Sequence, residues 1–244
     1  MKAASRRLGR ILAGTLLVVA AAAGAAPFSD SMAQRVLACT GCHGPQGRAA
    51  ADGYYPRLAG KPAGYLFNQL LNFRDGRRPY RLMSELLAPL DDAYLKAIAE
   101  HFAGLELPYP APAGAALPDD RLRTAVRLVR RGDPARSLPA CASCHGEAMT
   151  GIAPFVPGLL GLPPDYLNAQ LGAWRAGKRQ AQAPDCMAAI ARALAPDEIA
   201  ALSSWLAAQP VPQPARAAEA FVTPPPIPCG GVAETAAPPA ATGR

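Results

Sequence analysis

Apolar residues along this chain recur three and four positions apart, the spacing that gathers them on one face of a helix. Leu95, Ile98, Ala99 and Phe102 form such a face, and Asp91 and Asp92 ahead of it suit a helix N-terminus. A helix is also expected from near Pro62, a favourable first-turn proline, to near Gly76, with Tyr65, Leu66, Gln69, Leu70 and Phe73 on one face. A shorter one, Asp30 to Leu37, precedes both. The same order returns as Arg121 to Arg131, Asp165 to Arg175 and Pro196 to Ala207. The pattern predicts two units of three helices each, separated by loops.

The units resemble each other residue by residue at an offset near 101. Tyr55-Pro56-Arg57-Leu58-Ala59-Gly60 matches Val156-Pro157-Gly158-Leu159-Leu160-Gly161. The Tyr-Leu-x-x-Gln-Leu run at Tyr65 returns at Tyr166, and the Arg-x-Gly-x-Arg run at Arg74 returns at Arg175. Two copies mean a duplicated domain, whereas a solenoid needs a longer array. The expected domains are 26–108 and 119–210, joined by a stiff proline-rich linker at 109–118 and followed by a Pro/Ala-rich tail at 211–244.

Composition narrows the class. The 27 prolines exclude a long coiled coil, and a 50% hydrophobic content excludes a wholly disordered chain. The sole long apolar run, Ile11 to Ala23, has 13 residues, too few to span a bilayer comfortably. It follows Lys2, Arg6, Arg7 and Arg10 and ends at Ala23-Gly24-Ala25. That is the layout of a secretory signal peptide, residues 1–25, and predicts a periplasmic protein cleaved after Ala25. A retained leader would instead tie the protein to the membrane surface. Without those four cations the formal charge of +7 falls to +3, and nothing argues for nucleic acid.

Four of the six cysteines form two tight pairs, each followed at once by histidine: Cys39-Thr40-Gly41-Cys42-His43 and Cys141-Ala142-Ser143-Cys144-His145. C-x-x-C-H is the attachment sequence for c-type haem. Two thiols three positions apart can reach the two vinyl groups on one porphyrin edge, and the adjacent imidazole then binds iron axially. A zinc ribbon would bring its pairs within about 15–20 residues of each other, whereas these stand 102 apart. The expected cofactors are two covalently bound haem c groups. A soft thioether suits the second axial position. Met83 lies 40 residues after His43 and Met187 lies 42 after His145, both in the expected loops before the third helices. Met149 follows His145 too closely to reach the opposite haem face.

On these motifs the chain resembles the di-haem class I c-type cytochromes of the cytochrome c4 family. The resemblance runs from residue 30 to 208. It implies an all-α fold of two tandem class I cytochrome c domains, each wrapped around one covalent haem. It implies His43 with Met83, and His145 with Met187, as axial ligands, and the carbonyls of Pro56 and Pro157 as acceptors for the imidazole Nδ1–H. It also implies an electron carrier, not a catalyst, passing single electrons from a quinol–cytochrome c oxidoreductase to a terminal oxidase. A cytochrome subunit of a periplasmic dehydrogenase complex is the alternative. A di-haem enzyme, a peroxidase or a thiosulfate-oxidising cytochrome, is a third reading that would use Cys186 or the spare His101.

Cys186 and Cys229 are left over. An exported chain permits a disulfide, and an even pair predicts one between them, tying the tail to the second domain. Two free thiols, an intermolecular bridge through Cys229, or Cys186 as a haem ligand are the other possibilities. Arg74, Arg77, Arg78 and Arg81, ahead of Met83, read first as a solvated face and second as a dock for an acidic partner.

Overall fold

The amphipathic segments fold as their spacing predicts, with additional short helices between them. A computed structural model describes residues 30–50, 53–112 and 116–232. The leader, its cleavage site and part of the linker and tail lie outside the described residues. Met1–Gln34 forms one unit, in which Gln34 closes a turn onto the Ser31 carbonyl at 3.0 Å. Arg35–Arg244 forms the second unit, which contains both histidine motifs.

The helices in chain order are α1 (Met32–Arg35), α2 (Leu37–His43), α3 (Ala63–Arg74), α4 (Arg81–Leu87), α5 (Asp92–Ala103), α6 (Asp119–Arg130), α7 (Cys141–His145), α8 (Pro164–Arg175), α9 (Cys186–Ala193) and α10 (Pro196–Ala208). The only sheet among the described residues pairs β1 (Gly151–Ile152) antiparallel with β2 (Val156–Pro157). The expectation of three helices per unit is therefore corrected. The first half adds α2 and α4 and the second adds α7 and α9; α2 and α7 carry the C-x-x-C-H motifs, and α4 and α9 carry Met83 and Met187, which the pattern had placed in loops. The reason is local: α4 has only seven residues and no side-chain N-cap, so it leaves no start signal. The first predicted helix, Asp30 to Leu37, is shortened to α1, and α2 begins where it was expected to end.

The face predicted on α5 is buried, whereas on α3 only Leu66 of the predicted face is buried and Tyr65, Gln69, Leu70 and Phe73 are half-buried. Leu95, Ile98, Ala99 and Phe102 of α5 are all at most 3% exposed, and Asp91 caps the helix by accepting the Tyr94 N–H at 2.7 Å. In the second half α10 packs on α6 and α8, burying Leu128, Val129, Leu167, Leu202 and Leu206 in one cluster. Burial of such side chains contributes about 1.5–3 kcal/mol each.

The two halves share an interface built from α3, α8 and the loops around them. Gln69 Oε1 accepts from Arg78 at 3.0 Å and from Arg179 at 2.8 Å. Gln170 Oε1 accepts from Arg179 at 2.7 Å and from Arg78 at 2.6 Å. Each guanidinium also stacks on the aromatic ring five residues earlier, Arg78 on Phe73 and Arg179 on Trp174. The Tyr65 N–H donates to the Pro154 carbonyl and the Gln180 N–H to the Arg77 carbonyl, at 3.0 and 2.7 Å. Gly64 is required here, because a Cβ at that position would lie 2.5 Å from the Phe155 ring. The tail then runs back over both halves. Ala218 pairs with β1, Arg216 forms an ion pair with Glu106, and Asn68 donates to the Gly231 carbonyl at 2.8 Å.

Candidate functional site

Each C-x-x-C-H motif occupies one short helix, α2 or α7, that ends on its histidine. On a helix, positions three apart share a face. Cys39 with Cys42, and Cys141 with Cys144, therefore stand one turn apart, with the histidine next in line. All four thiols are free, while the remaining two cysteines are bonded to each other. Burial pushes the Cys141 thiol up to about 11 and raises that of Cys39.

Both imidazoles are buried, 7% exposed for His43 and 6% for His145. His43 Nδ1 lies 2.8 Å from the Pro56 carbonyl, and His145 Nδ1 lies 2.8 Å from the Pro157 carbonyl. A carbonyl can only accept, so Nδ1 carries the proton and Nε2 keeps its lone pair for a metal. Burial, the main cause, holds both rings below their ordinary value of 6.5, against the raising effect of the carbonyl bonds. Positive charge adds to that lowering, from Arg78 at His43 and from Lys61 at His145.

The loops that carry these carbonyls are placed by repeated devices. In the first half the Gly47 carbonyl accepts from Leu58 and Ala59, at 2.8 and 3.1 Å. Gly47 itself sits at φ +70, with the Phe102 ring 2.8 Å from where its Cβ would be. In the second half the Met149 carbonyl accepts from Leu159 at 2.9 Å, and Met149 sits at φ 56 in the corresponding turn. Met149, 2% exposed, is thus a packed turn residue.

Met83 and Met187 are half-buried on α4 and α9. Ser84 ties α4 to the Phe73 carbonyl at 2.9 Å, and Asp185 caps α9 by accepting from Ala188 at 3.0 Å. Cys186, the first residue of α9, is joined to Cys229 with Cα atoms 4.9 Å apart. That bond confirms the predicted pairing and excludes the ligand role weighed for Cys186.

The arginine cluster is a different matter. Arg74 is held by Asp75 and Asp92, Arg77 by Asn72 and Asp75, and Arg78 by the interface glutamines. Of the four, Arg81 alone stands out, its side chain 84% exposed. Neither the docking reading nor a fully solvated face describes this cluster.

The arrangement fits covalent haem. Each half presents two free thiols on one helical turn and a buried histidine whose tautomer is fixed for ligation. Among the described residues no three His, Cys, Asp or Glu side chains gather as they would around zinc. Residues 136–209 match the family described as Cytochrome c. The cytochrome c4 of Pseudomonas aeruginosa is 33% identical over 175 residues, covering 70% of this chain and 84% of that protein. The chain belongs to the cytochrome c4 family of di-haem class I c-type cytochromes. Like other members it is an all-α electron carrier with covalently bound haem c. The crystal structure of reduced recombinant cytochrome c4 from Pseudomonas stutzeri superposes with a TM-score of 0.62 at 28% identity, over 74% of this chain and 99% of that one. A second relative is the thiosulfate dehydrogenase electron acceptor of Thiomonas intermedia, 36% identical over 200 residues, which span 80% of this chain and 89% of that protein.

Proposed function

We propose that this cytochrome is the electron acceptor of a periplasmic dehydrogenase that oxidises thiosulfate, and that it hands single electrons on to the respiratory chain. The likeness to the Thiomonas intermedia acceptor carries this reading, since it extends over more of this chain than the likeness to cytochrome c4. Among the routes expected from the sequence, it favours the dehydrogenase-associated one. The haems supply one-electron ferric–ferrous chemistry. The chain's residues hold and tune them: Cys39, Cys42, Cys141 and Cys144 as attachment points, His43 and His145 as proximal ligands, and Met83 and Met187 as the second axial ligands. The domains at 26–108 and 119–210 hold one haem each. A haem held by a histidine and a methionine would leave its iron no open position for a substrate, so thiosulfate would be oxidised on the partner.

The test is stopped-flow reduction of the oxidised protein. A thiosulfate dehydrogenase with thiosulfate should reduce both haems quickly, and a quinol–cytochrome c oxidoreductase should do so more slowly. Rapid reduction by the quinol enzyme, with none by the dehydrogenase, would replace this reading with the respiratory-shuttle one.

A further inference from the structure

Lys61 belongs to the first half by sequence and by its backbone bond to the Leu58 carbonyl, and reaches the second half with its side chain. Its ammonium donates to the Gly158 carbonyl at 2.8 Å, a buried bond between residues 97 positions apart. Gly158 follows Pro157, whose carbonyl fixes the His145 ring. The side chain is 5% exposed, and among the described ion pairs no carboxylate faces it. A buried charge without a counter-charge is costly and exerts a strong local field.

The duplicate does not return the favour. Lys61 aligns with Leu162, an apolar core residue 8% exposed. The glutamine–arginine contacts across the interface are reciprocal, but this contact is one-sided. The cation nearest in effect to His43 is Arg78, which is half-buried and has its guanidinium shared among Gln69, Gln170 and Tyr166. Among the described residues, the Lys61 ammonium has one acceptor, the Gly158 carbonyl.

We propose that Lys61 is a positioning residue for the second haem, supplied by the first half: it pins the end of β2 at Pro157–Gly158, which orients His145, and sets a positive charge on that side. The proposal rests on His145 being the ligand of the second iron. Reduction removes one positive charge at the iron, so a nearby cation favours the ferrous state. The second haem then draws the electron. With both haems bound, one electron would pass from the first iron to the second, oxidising the first and reducing the second, with no bond or proton changing hands. Electrons arriving at the first haem are collected at the second.

The experiment is a redox titration of the intact di-haem protein. Each midpoint is assigned to its site by NMR exchange spectroscopy during stepwise reduction. Lys61→Met removes the charge at similar length. It should lower the exchange constant for electron transfer from first to second haem by about tenfold, the order of one unit charge acting at a partly screened site. For one electron, tenfold corresponds to about 59 mV. The first midpoint should stay in place, and Lys61→Arg should restore most of the difference. If Lys61→Met fails to mature, Lys61→Gln should show the same drop. Equal movement of both midpoints, no movement, or the same shift in the Met and Arg variants would overturn the proposal. A wild-type spectrum lacking hyperfine-shifted His145 ring protons would instead overturn its premise, so the two failures are told apart.

Discussion

At the scale of single residues, the proton on each imidazole Nδ1 decides the chemistry, because its bond to a proline carbonyl leaves Nε2 as the metal-binding nitrogen. The methionines proposed as the opposite ligands are tested by substitution. Met83→Ala and Met187→Ala should each lower one haem's potential, open that iron to carbon monoxide and remove about half of the sulfur-to-iron charge-transfer band. Full retention of the band in either variant would exclude that sulfur. Glu198 tests a different effect. Its carboxylate is gripped by Arg136 at 2.7 and 2.9 Å, chiefly by which its pKa falls below the ordinary 4.5. A depressed carboxylate contributes stability that is present above the unfolded-state pKa and lost as pH falls through the folded-state value. Glu198→Gln should therefore lower Tm by about 2–4 °C at pH 7, with the gap from wild type closing below about pH 4.5, as followed by circular dichroism. Cysteines and histidines were legible in the sequence because their chemistry is written in local spacing and in a repeat, while the role of the two proline carbonyls followed from the family resemblance. Lys61 was not, because its acceptor is 97 residues away and a lone lysine carries no pattern.

At the scale of elements, the disulfide fastens the chain after α10 to the first residue of α9. It closes a loop with a sequence separation of 43, which in the chain-entropy account contributes about 3–4 kcal/mol. Cys229→Ser should cost most of that in urea unfolding and should expose residues 211–232 to hydrogen exchange, while the exchange of α5 stays as in wild type. Unchanged protection of the tail would mean that the Ala218 and Gly231 contacts hold it unaided. The long amphipathic helices were predicted to within a few residues, because periodicity and N-terminal aspartates mark them. The short helices α4 and α9 were read as loops, since seven or eight residues show too little of a period. The tail was expected on the second half alone. Its reach to Asn68 and Glu106 depends on tertiary partners that no local pattern announces.

At the scale of the whole molecule, both motifs lie in one unit whose halves meet through Gln69, Arg78, Gln170 and Arg179. Gly64→Leu would drive a side chain into the Phe155 ring and the Pro154 carbonyl. Overpacking of this kind costs about 1–3 kcal/mol. Calorimetry should then resolve two transitions, with a lower first Tm, while the haem content stays at two per chain. A single unshifted transition would show that the contact contributes nothing to cooperativity. The four interface residues also have a consequence for ancestry. Residue i of one half meets residue j of the other, and j meets i, which is the rule for an isologous dimer about a two-fold axis. One half with Gln and Arg at these positions has what it needs to pair with its own copy. Two identical subunits must change together, whereas two halves of one chain need not. Leu162 opposite Lys61, and Gly158 opposite Arg57, are what that freedom permits: a symmetric frame holding two unequal sites.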